Sequence, residues 1–376
     1  MIKYIVTHPI QYQVPLIRYL SKRIKIKVAY RSNISIKRYH DKDFNKKIIM
    51  DRNLLSGYNY HFLKYIGPNK VSTIFPITTD FINKIFYDDT KIIWLHGIKI
   101  WYNLIIIILA KFFNKKVFVR DEFNHLIKRS YFNYIINKIF YFFIDYFIDC
   151  YLSIGSKNTK AYLANGINKK KIYQVPYVVD NNLFYIKKKN EIKNLRILFT
   201  GKLIYRKGCD ILLNSIYLLN KNSKFKKNTE VVIIGDGVLK KELIEFKKKY
   251  NLSNVKFLGF KNQNLIKNYY KKSNLFIIPS REENWGLAVN EAMASKNAII
   301  SSSSVGSAQD LVKNNYNGFI FKNEDYKSLA KKIYRIYNNK KMLTKFGNNS
   351  SKIISKWSFN ECYAGLDKAI KFTFKK

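Results

Sequence analysis

Short runs of apolar residues alternate with longer, partly apolar segments along most of the chain. In the first half, the runs that predict buried strands lie at residues 4–6, 26–30, 60–63, 91–95, 116–119 and 150–153. In the second half, they lie at residues 196–200, 231–234, 255–259, 275–278, 298–300 and 318–321. Helices are predicted between them, among others at residues 15–20, 102–113 and 127–147. Strands that alternate with helices form parallel, doubly wound sheets, so the pattern predicts an α/β protein with two such series.

The two series are separated by residues 187–194, which are polar, charged and without periodicity. We therefore predict an N-terminal domain over residues 1–186 and a C-terminal domain over residues 195–356, followed by a helical segment at 357–376. A length of 376 residues agrees with two domains better than with a single core.

A candidate ligand site lies in the sequence PSREENWGLAVNEAMA at residues 279–294. Glu283 falls in the loop after a predicted strand, and Glu291 falls about one turn inside the helix that follows. The backbone N–H groups of Gly286 and Leu287 lie at the start of that helix, where anions bind. Two glutamates beside a helix start are also typical of an ordinary solvated surface. The preceding strand and the Trp-Gly-Leu and Glu-Ala-Met-Ala sequences favour a site for a ligand with hydroxyls and phosphates, such as a nucleotide sugar.

This segment resembles the donor-binding motif of glycosyltransferase family 4, Pro-Ser-x-x-Glu-x-(Phe/Trp)-Gly-Leu-x-x-x-Glu-Ala-Met-Ala. The resemblance implies the GT-B fold, in which two Rossmann-like domains face each other across a cleft and the last helix returns to the first domain. It also implies metal-independent transfer (EC 2.4) with retention of anomeric configuration. Glu291 would bind the ribose hydroxyls, and Glu283 would bind the transferred sugar and assist catalysis.

Two lysines in the sequence FTGKLIYRKG at residues 199–208 are candidates for phosphate binding. Either lysine alone would be typical of a solvated surface. The family has Gly-(Arg/Lys)-Leu followed by Lys-Gly at this place, which implies that Lys202 and Lys207 bind the donor diphosphate. Phe260 follows the strand at 255–259 and matches the position where the family holds the nucleotide base. The donor is expected to be UDP- or GDP-linked, with no further cofactor.

The first domain is expected to bind the acceptor at the carboxyl ends of its strands. His8 and Gln11 belong to a His-Pro-Ile-Gln-Tyr sequence that resembles a subset of the family, and we predict that they contact the acceptor. His96 ends another strand and is predicted to be catalytic, although an isolated histidine is more often structural. Arg120 and Glu122 occupy a region where many family members have a functional histidine, and they are predicted to bind the acceptor.

The formal net charge of +44 comes from 69 lysines and arginines against 25 acidic residues. Two explanations stay open, drift towards AT-rich codons and a surface that binds an anionic membrane. We find no nucleic-acid-binding motif and predict no nucleic-acid partner. Cys150, Cys209 and Cys362 are odd in number and far apart, which is typical of a reduced cytosol. We expect a cytoplasmic protein, and peripheral attachment to the inner face of the cytoplasmic membrane stays open as an alternative.

Residues 131–152 are long enough to span a bilayer but contain charged residues, so we predict a helix and a strand of the first domain. An aromatic-rich core is the favoured explanation of its many aromatic side chains. The alternative is a face that dips into lipid headgroups. Asp41-Lys42-Asp43 matches a metal-binding Asp-x-Asp motif formally, but no buried strand precedes it, and we predict a solvated loop and no metal site.

The sequence thus predicts a retaining glycosyltransferase that moves a sugar from a nucleotide sugar to a glycan or lipid-linked acceptor. The resembling subset suggests bacterial surface polysaccharide or lipopolysaccharide synthesis. Two alternatives are a sugar-nucleotide epimerase of the same fold and a non-catalytic membrane-associated binding protein.

Overall fold

The chain forms two compact units in a computed structural model. The structure describes residues 1–36, 39–41, 46–48, 53–69, 76–123, 131–189 and 194–375. The first unit comprises residues 1–39, 48–179 and 359–376, and the second comprises residues 40–47 and 180–358. Each unit contains a parallel sheet and helices in a Rossmann-like fold. This confirms the predicted α/β fold class. The division falls at residues 179 and 180, before the predicted linker at 187–194, part of which (190–193) lies outside the described residues.

The strands in the first half of the chain are β1 (Ile2–Val6), β2 (Ile26–Tyr30), β3 (Tyr39–Asp41), β4 (Lys46–Ile48), β5 (Asn59–Phe62), β6 (Tyr65–Ile66), β7 (Ile77–Thr78), β8 (Ile92–His96), β9 (Lys116–Arg120), β10 (Cys150–Ser153) and β11 (Ile172–Gln174). The first unit is built on a seven-stranded sheet with the order β11-β10-β9-β8-β1-β2-β5, in which neighbouring strands are parallel. β3 pairs with β4, and β6 pairs with β7, in two small separate sheets. β11 was not predicted, because this partly exposed edge strand has no continuous apolar run.

The helices of this part of the chain are α1 (Val14–Ser21), α2 (Phe81–Phe86), α3 (Trp101–Phe112), α4 (Tyr131–Ile144) and α5 (Ser156–Ala164). Of the helix predicted at 127–147, residues 127–130 lie outside the described residues, and a 3-10 turn (Asp145–Phe147) follows α4. Lys42 and Asp43 of the formal Asp-x-Asp motif also lie outside them. Among the described helices, none combines the length and the apolar character that a membrane span requires.

The second unit has a six-stranded parallel sheet, formed by β12 (Leu195–Thr200), β13 (Thr229–Ile234), β14 (Val255–Phe257), β15 (Leu275–Ile278), β16 (Ala298–Ser302) and β17 (Gly318–Phe321). The strand order in this sheet is β14-β13-β12-β15-β16-β17. The order reverses between β12 and β15, and doubly wound sheets bind ligands at such a reversal, beyond the carboxyl ends of the strands.

The helices that surround this second sheet are α6 (Asn181–Phe184), α7 (Cys209–Leu219), α8 (Ser223–Lys227), α9 (Lys240–Lys249), α10 (Gln263–Lys272), α11 (Leu287–Ala294), α12 (Ala308–Leu311), α13 (Tyr326–Tyr337) and α14 (Lys340–Ile354). Apolar side chains of the strands and helices form one buried core in this unit. The core fixes the strands, and the loops at their carboxyl ends remain available for a site.

The last helix, α15 (Phe359–Phe374), belongs to the first unit and packs against β10, β11 and α1. The Sγ atom of Cys362 lies 2.9 Å from the carbonyl oxygen of Pro176. The Sγ atom of Cys150 lies 3.3 Å from Oγ1 of Thr373. Two of the three cysteines therefore serve as buried packing groups between this helix and the sheet.

Most of the aromatic residues of α4 lie outside the core, so the favoured explanation of this segment, an aromatic-rich core, was wrong for them. Phe132, Phe142 and Phe143 are exposed, whereas Tyr141 is buried. Periodicity alone showed that the helix is apolar on more than one face, but only the packing of the unit shows which face is covered.

Candidate functional site

A cavity of about 330 Å³ lies in the second unit at the carboxyl ends of β12 and β15. Six predicted donor-site residues line it: Lys202, Lys207, Phe260, Glu283, Gly286 and Leu287. A larger cavity of about 850 Å³ lies at the amino ends of the same sheet, around Arg196 and Lys256. Because ligands of doubly wound sheets bind at the carboxyl ends, we place the candidate site in the smaller cavity.

The loop after β12 brings Lys207 to the cavity by way of a tight turn. A 3-10 turn (Tyr205–Lys207) ends at Gly208, which has a φ of 66° and precedes α7. A Cβ atom at Gly208 would lie 2.3 Å from the carbonyl oxygen of Pro279 in the loop after β15. The two loops thus touch at a position that only glycine can occupy without strain.

Arg281 ties the same two loops together, and the sequence analysis did not identify it. Its guanidinium donates to both carboxylate oxygens of Asp210, at 2.9 and 2.6 Å, and to the carbonyl oxygen of Tyr205 at 2.8 Å. Its Nε donates to Glu324 at 2.8 Å. The hydrogen bond with Asp210 is the largest influence on the pKa of Arg281, which is raised above its ordinary value. Arg281 therefore stays charged and positions the loops that hold Lys207 and Glu283.

Lys207 and Glu283 form an ion pair at the cavity, between Nζ and Oε2. Their side chains are only 20% and 12% exposed, so solvent screens the pair weakly. The carbonyl oxygen of Glu283 also accepts a hydrogen bond of 2.9 Å from the backbone N–H of Gly306. The site thus places a cation and a carboxylate side by side.

The first turn of α11 supplies backbone donors to the same cavity. Gly286 is the N-cap residue, no side chain caps this helix end, and the first turn contains no acidic residue. The first N–H groups of a helix have no intrahelical acceptor, and they attract anions. Leu287 and Ala288 line the cavity, and their amides belong to this first turn.

Glu291 lies one turn further along α11 and is not among the residues that line the cavity. It hydrogen-bonds to Tyr270 of α10, whose hydroxyl lies 2.6 Å from Oγ1 of Thr200. Burial raises the pKa of Tyr270 well above its ordinary value, and the charge of Glu291 adds to this. Tyr270 was missed by the sequence analysis, because an apolar-facing tyrosine in a helix predicts only a core residue.

A second group of candidate side chains lies in the first unit, at the carboxyl ends of β8 and β9. Glu122 Oε1 lies 3.1 Å from His96 Nε2 and accepts a hydrogen bond of 3.1 Å from the hydroxyl of Tyr12. The hydroxyl of Tyr177 donates to the same oxygen. His96 Nε2 is also 3.4 Å from Nε2 of Gln13. Two predicted residues, His96 and Glu122, therefore meet, together with three that sequence analysis missed.

This cluster holds Glu122 as a carboxylate. Burial acts to raise the pKa of Glu122, but hydrogen bonds from His96, Tyr177 and Tyr12 and the nearby His96 ring outweigh it and lower the pKa to about 2. His8 is close to His96, and burial followed by the proximity of His96 lowers the pKa of His8 to about 4. At neutral pH, the imidazole of His8 is therefore neutral, and Glu122 is an ionised carboxylate.

Two other predicted acceptor-site residues have different surroundings. Arg120 is buried, and its Nη2 atom donates to the carbonyl oxygens of Val175 and Pro176 at 3.0 and 2.9 Å. Its guanidinium lies 4.4 Å from the centre of the Tyr177 ring. Arg120 is therefore placed to hold the segment that carries Tyr177, and this position does not favour the predicted contact with an acceptor. Gln11 lies partly buried in the turn before α1.

Within the described residues, no three side chains among His, Cys, Asp and Glu come together in a way that could hold a metal ion. The prediction of metal-independent chemistry is a separate matter and stays a prediction.

The order of strands in the second unit, its cavity at the strand reversal and a second Rossmann-like unit define the GT-B class of proteins. Residues 183–353, nearly all of the second unit, match the family model described as glycosyl transferases group 1. Over this segment the chain is similar to the group 1 glycosyltransferases. The narrower assignment to family 4 stays a prediction.

Two curated relatives support this placement. The chain is 28% identical over 225 residues to an uncharacterised glycosyltransferase of Methanocaldococcus jannaschii, covering 60% of this chain and 57% of that protein. It is 30% identical to a Campylobacter jejuni protein named as an α-1,4-N-acetyl-D-galactosaminyltransferase that acts on an undecaprenol-linked glycan, covering 53% of this chain and 54% of that protein. The chain spans just over half the length of these curated relatives.

A solved structure shows the same fold over almost the whole chain. The Anabaena protein HepE, in complex with UDP, superposes with a TM-score of 0.75 at 15% identity and covers 98% of this chain and 99% of that chain. At this identity, the likeness establishes the fold.

Proposed function

We propose that this protein transfers a sugar from a nucleotide-sugar donor to a glycan or lipid-linked acceptor, with retention of the anomeric configuration. One observation carries the proposal: Lys202, Lys207, Glu283 and the first turn of α11 line a single cavity at the strand reversal of the second unit. Support also comes from HepE, which binds UDP, and from the galactosaminyltransferase relative.

Cations and backbone donors would stabilise the leaving group. When the bond between the anomeric carbon and the phosphate oxygen breaks, negative charge grows on the diphosphate. Lys202, Lys207 and the amides of Gly286 and Leu287 would bind that charge in a cavity that solvent screens poorly. Removing one preorganised donor of this kind typically slows a reaction by ~10²–10³-fold.

The sugar and ribose would be held by the two glutamates. Glu283, fixed beside Lys207, would accept hydrogen bonds from hydroxyls of the transferred sugar and position its anomeric carbon. Glu291, fixed by Tyr270, would accept hydrogen bonds from the ribose. We propose a front-face displacement in which the acceptor oxygen bonds to the anomeric carbon, and the leaving phosphate takes the acceptor proton.

The acceptor would bind to the cluster in the first unit. A neutral His8 and an ionised Glu122 are both able to accept hydrogen bonds from sugar hydroxyls, and Gln11 lies in the adjacent turn. His96, which contacts Glu122, would position the attacking hydroxyl. We further propose a role in bacterial surface polysaccharide or lipopolysaccharide synthesis at the inner face of the membrane.

The first test is a panel of UDP- and GDP-linked sugars, with EDTA present, scored by the shift in thermal unfolding temperature. We expect one donor to stabilise the wild type, and Lys207→Ala and Glu291→Ala to lose at least tenfold in donor affinity. Lys345→Ala, which removes an exposed lysine of α14, is the matched control and should bind as wild type does.

Three outcomes would contradict parts of the proposal. Stabilisation by no donor in the wild type would oppose a donor site. A requirement for a divalent cation would oppose metal-independent transfer. Turnover of the donor to an epimer without any acceptor would favour the epimerase of the same fold.

A further inference from the structure

Helix α4 has a buried face and an exposed face, and both are apolar. Tyr141 and Ile144 face the core of the first unit and are almost fully buried. On the other side, Phe132 is 72%, Phe142 77% and Phe143 66% exposed. The exposed apolar residues at 132, 135, 139 and 142 recur every three or four positions, which places them on one stripe of the helix. The solvent-facing stripe is therefore as regular as the core-facing one.

The exposed stripe continues onto the neighbouring elements. Tyr146, in the 3-10 turn after α4, is 69% exposed, and Phe112, at the end of α3, is 80% exposed. The Nζ atom of Lys111 in α3 lies 4.8 Å from the centre of the Tyr146 ring, which joins the two elements. We call Phe112, Phe132, Ile139, Phe142, Phe143 and Tyr146 the aromatic face. Contiguous exposed apolar patches usually mark an interaction site.

Among the described residues, lysines lie on this face, and the carboxylates close to it are paired with lysines. Lys111 and Lys138 each lie over a tyrosine ring, of Tyr146 at 4.8 Å and of Tyr134 at 5.2 Å. The nearby carboxylates are neutralised: Asp145 pairs with Lys171 at 2.9 Å, and Asp149 pairs with Lys116 at 3.3 Å. The face thus combines large apolar rings with cations, and its complement is an apolar surface that carries negative charge.

We propose that the aromatic face binds the surface of a lipid bilayer that contains anionic lipids. Phenylalanine would enter the acyl boundary, while tyrosine and lysine suit the headgroup region. α4 has 14 residues, fewer than the ~20 that a span requires, so it would lie in the plane of the interface. A second copy is the less favoured occupant, because pairing would bring together two chains that each carry a formal charge of +44.

The test is sedimentation of the full chain with vesicles of phosphatidylcholine, with and without phosphatidylglycerol. We expect at least tenfold tighter binding to the anionic vesicles, and weaker binding as salt rises. Phe142→Ser/Phe143→Ser should weaken binding at least tenfold, and Phe112→Ser, on a different helix, should weaken it severalfold. Lys111→Gln/Lys138→Gln should reduce the preference for anionic lipid.

The matched control is Tyr185→Ser/Phe374→Ser, which removes two aromatic side chains that are 54% and 50% exposed elsewhere. This variant should bind vesicles as wild type does. Every variant should keep its thermal unfolding temperature and its stabilisation by the donor, because the aromatic face lies in the first unit and the donor cavity in the second.

Two results would overturn the inference. One is a folded wild type that binds neither kind of vesicle. The other is a concentration-dependent dimer that Phe142→Ser/Phe143→Ser dissociates, without vesicle binding, which would assign the face to a second copy. Loss of donor stabilisation with intact vesicle binding would instead contradict the proposed function and leave this inference standing.

Discussion

The ion pair between Lys207 and Glu283 joins residues from two loops that are far apart in the chain. Each partner is mostly buried, and a buried charge without a partner is costly. A diphosphate bound in the cavity would give Lys207 a second anionic neighbour besides Glu283. This arrangement explains how a carboxylate remains stable beside a site that is proposed to bind phosphates.

Tyr270 is the residue whose role the contacts define most closely. Its hydroxyl hydrogen-bonds to Thr200 and to Glu291, so Tyr270→Phe removes both hydrogen bonds, including the one to Glu291, and keeps the packed ring. Such a bond typically contributes about 0.5–1.5 kcal/mol. We expect the KM for the donor to rise roughly 3–10-fold at nearly constant kcat, since Glu291 would lose its orientation towards the ribose. Steady-state kinetics with varied donor concentration measures both constants.

A modified donor separates this positioning role from a general structural effect. A donor that lacks the ribose hydroxyls bound by Glu291 should show the same KM with wild type and Tyr270→Phe. An equal rise in KM with both donors would argue that Tyr270 does not act by positioning Glu291. Tyr269→Phe, at the adjacent and more exposed position, is the control and should change neither constant.

At the scale of elements, the site depends on two loops, after β12 and after β15, that are held against each other. Arg281 bridges them through Asp210 and Tyr205, and Gly208 lets their backbones approach. Because β12 and β15 are neighbours in the sheet, their following loops leave the same edge side by side. The sheet brings the loops together, and these contacts fix their distance.

Gly208→Ala tests how much stability the close approach of these loops contributes. The new Cβ would both occupy a left-handed conformation (φ 66°) and collide with the carbonyl oxygen of Pro279. We expect a loss of about 3 kcal/mol in the free energy of unfolding, measured by urea denaturation. Gly259→Ala is a matched control, because Gly259 has a φ of 67° and nothing within 4 Å of the added Cβ. Gly259→Ala should lower the free energy of unfolding by only about 1 kcal/mol. Equal losses in the two variants would show that the chain relieves the collision at position 208.

At the scale of the whole molecule, the formal charge of +44 is spread over both units and exceeds what the proposed donor site requires. Such a charge favours binding to anionic surfaces and disfavours self-association. The aromatic face gives this general attraction a specific place on the first unit. The two properties together account for the proposed position of the protein at a membrane.

We expect the first unit to lose stability as the pH falls below 6.5, before its carboxylates become protonated. Burial lowers the pKa of both His8 and His61 from 6.5 to about 4. Between pH 6.5 and 4, the unfolded chain therefore binds protons at these histidines that the folded chain does not, and stability falls as pH falls. We expect a loss on the order of 1 kcal/mol for each histidine, allowing for partial exposure.

His61→Gln should reduce this pH dependence, as measured by thermal unfolding between pH 7.5 and 4. Below pH 4.5, the lowered pKa of Glu122 should add a second loss of stability in the variant and in the wild type alike. If the unfolding temperature of His61→Gln falls between pH 6.5 and 4 as steeply as that of the wild type, His61 is not a cause of this pH dependence.

Much of the fold was determined by local sequence patterns. Continuous apolar runs identified the strands of both sheets except the edge strand β11, because a strand covered on both faces needs apolar residues throughout. Glu283, Lys207 and their neighbours could be proposed as site residues because their short, contiguous loop motifs resemble those of a known family. Their prediction needed no knowledge of how the strands pair.

Only the tertiary structure decided which residues meet and which faces are covered. The strand order of the second unit places Lys207 beside Glu283, and helix packing places Tyr270 beside Glu291. The burial of Arg120 and the exposure of the aromatic face could not be predicted from the sequence either. An arginine after a strand, or an apolar stripe on a helix, has the same local pattern whether it is covered or exposed. Whether such a residue is covered depends on contacts with residues distant in the chain. Local periodicity contains no information about those contacts.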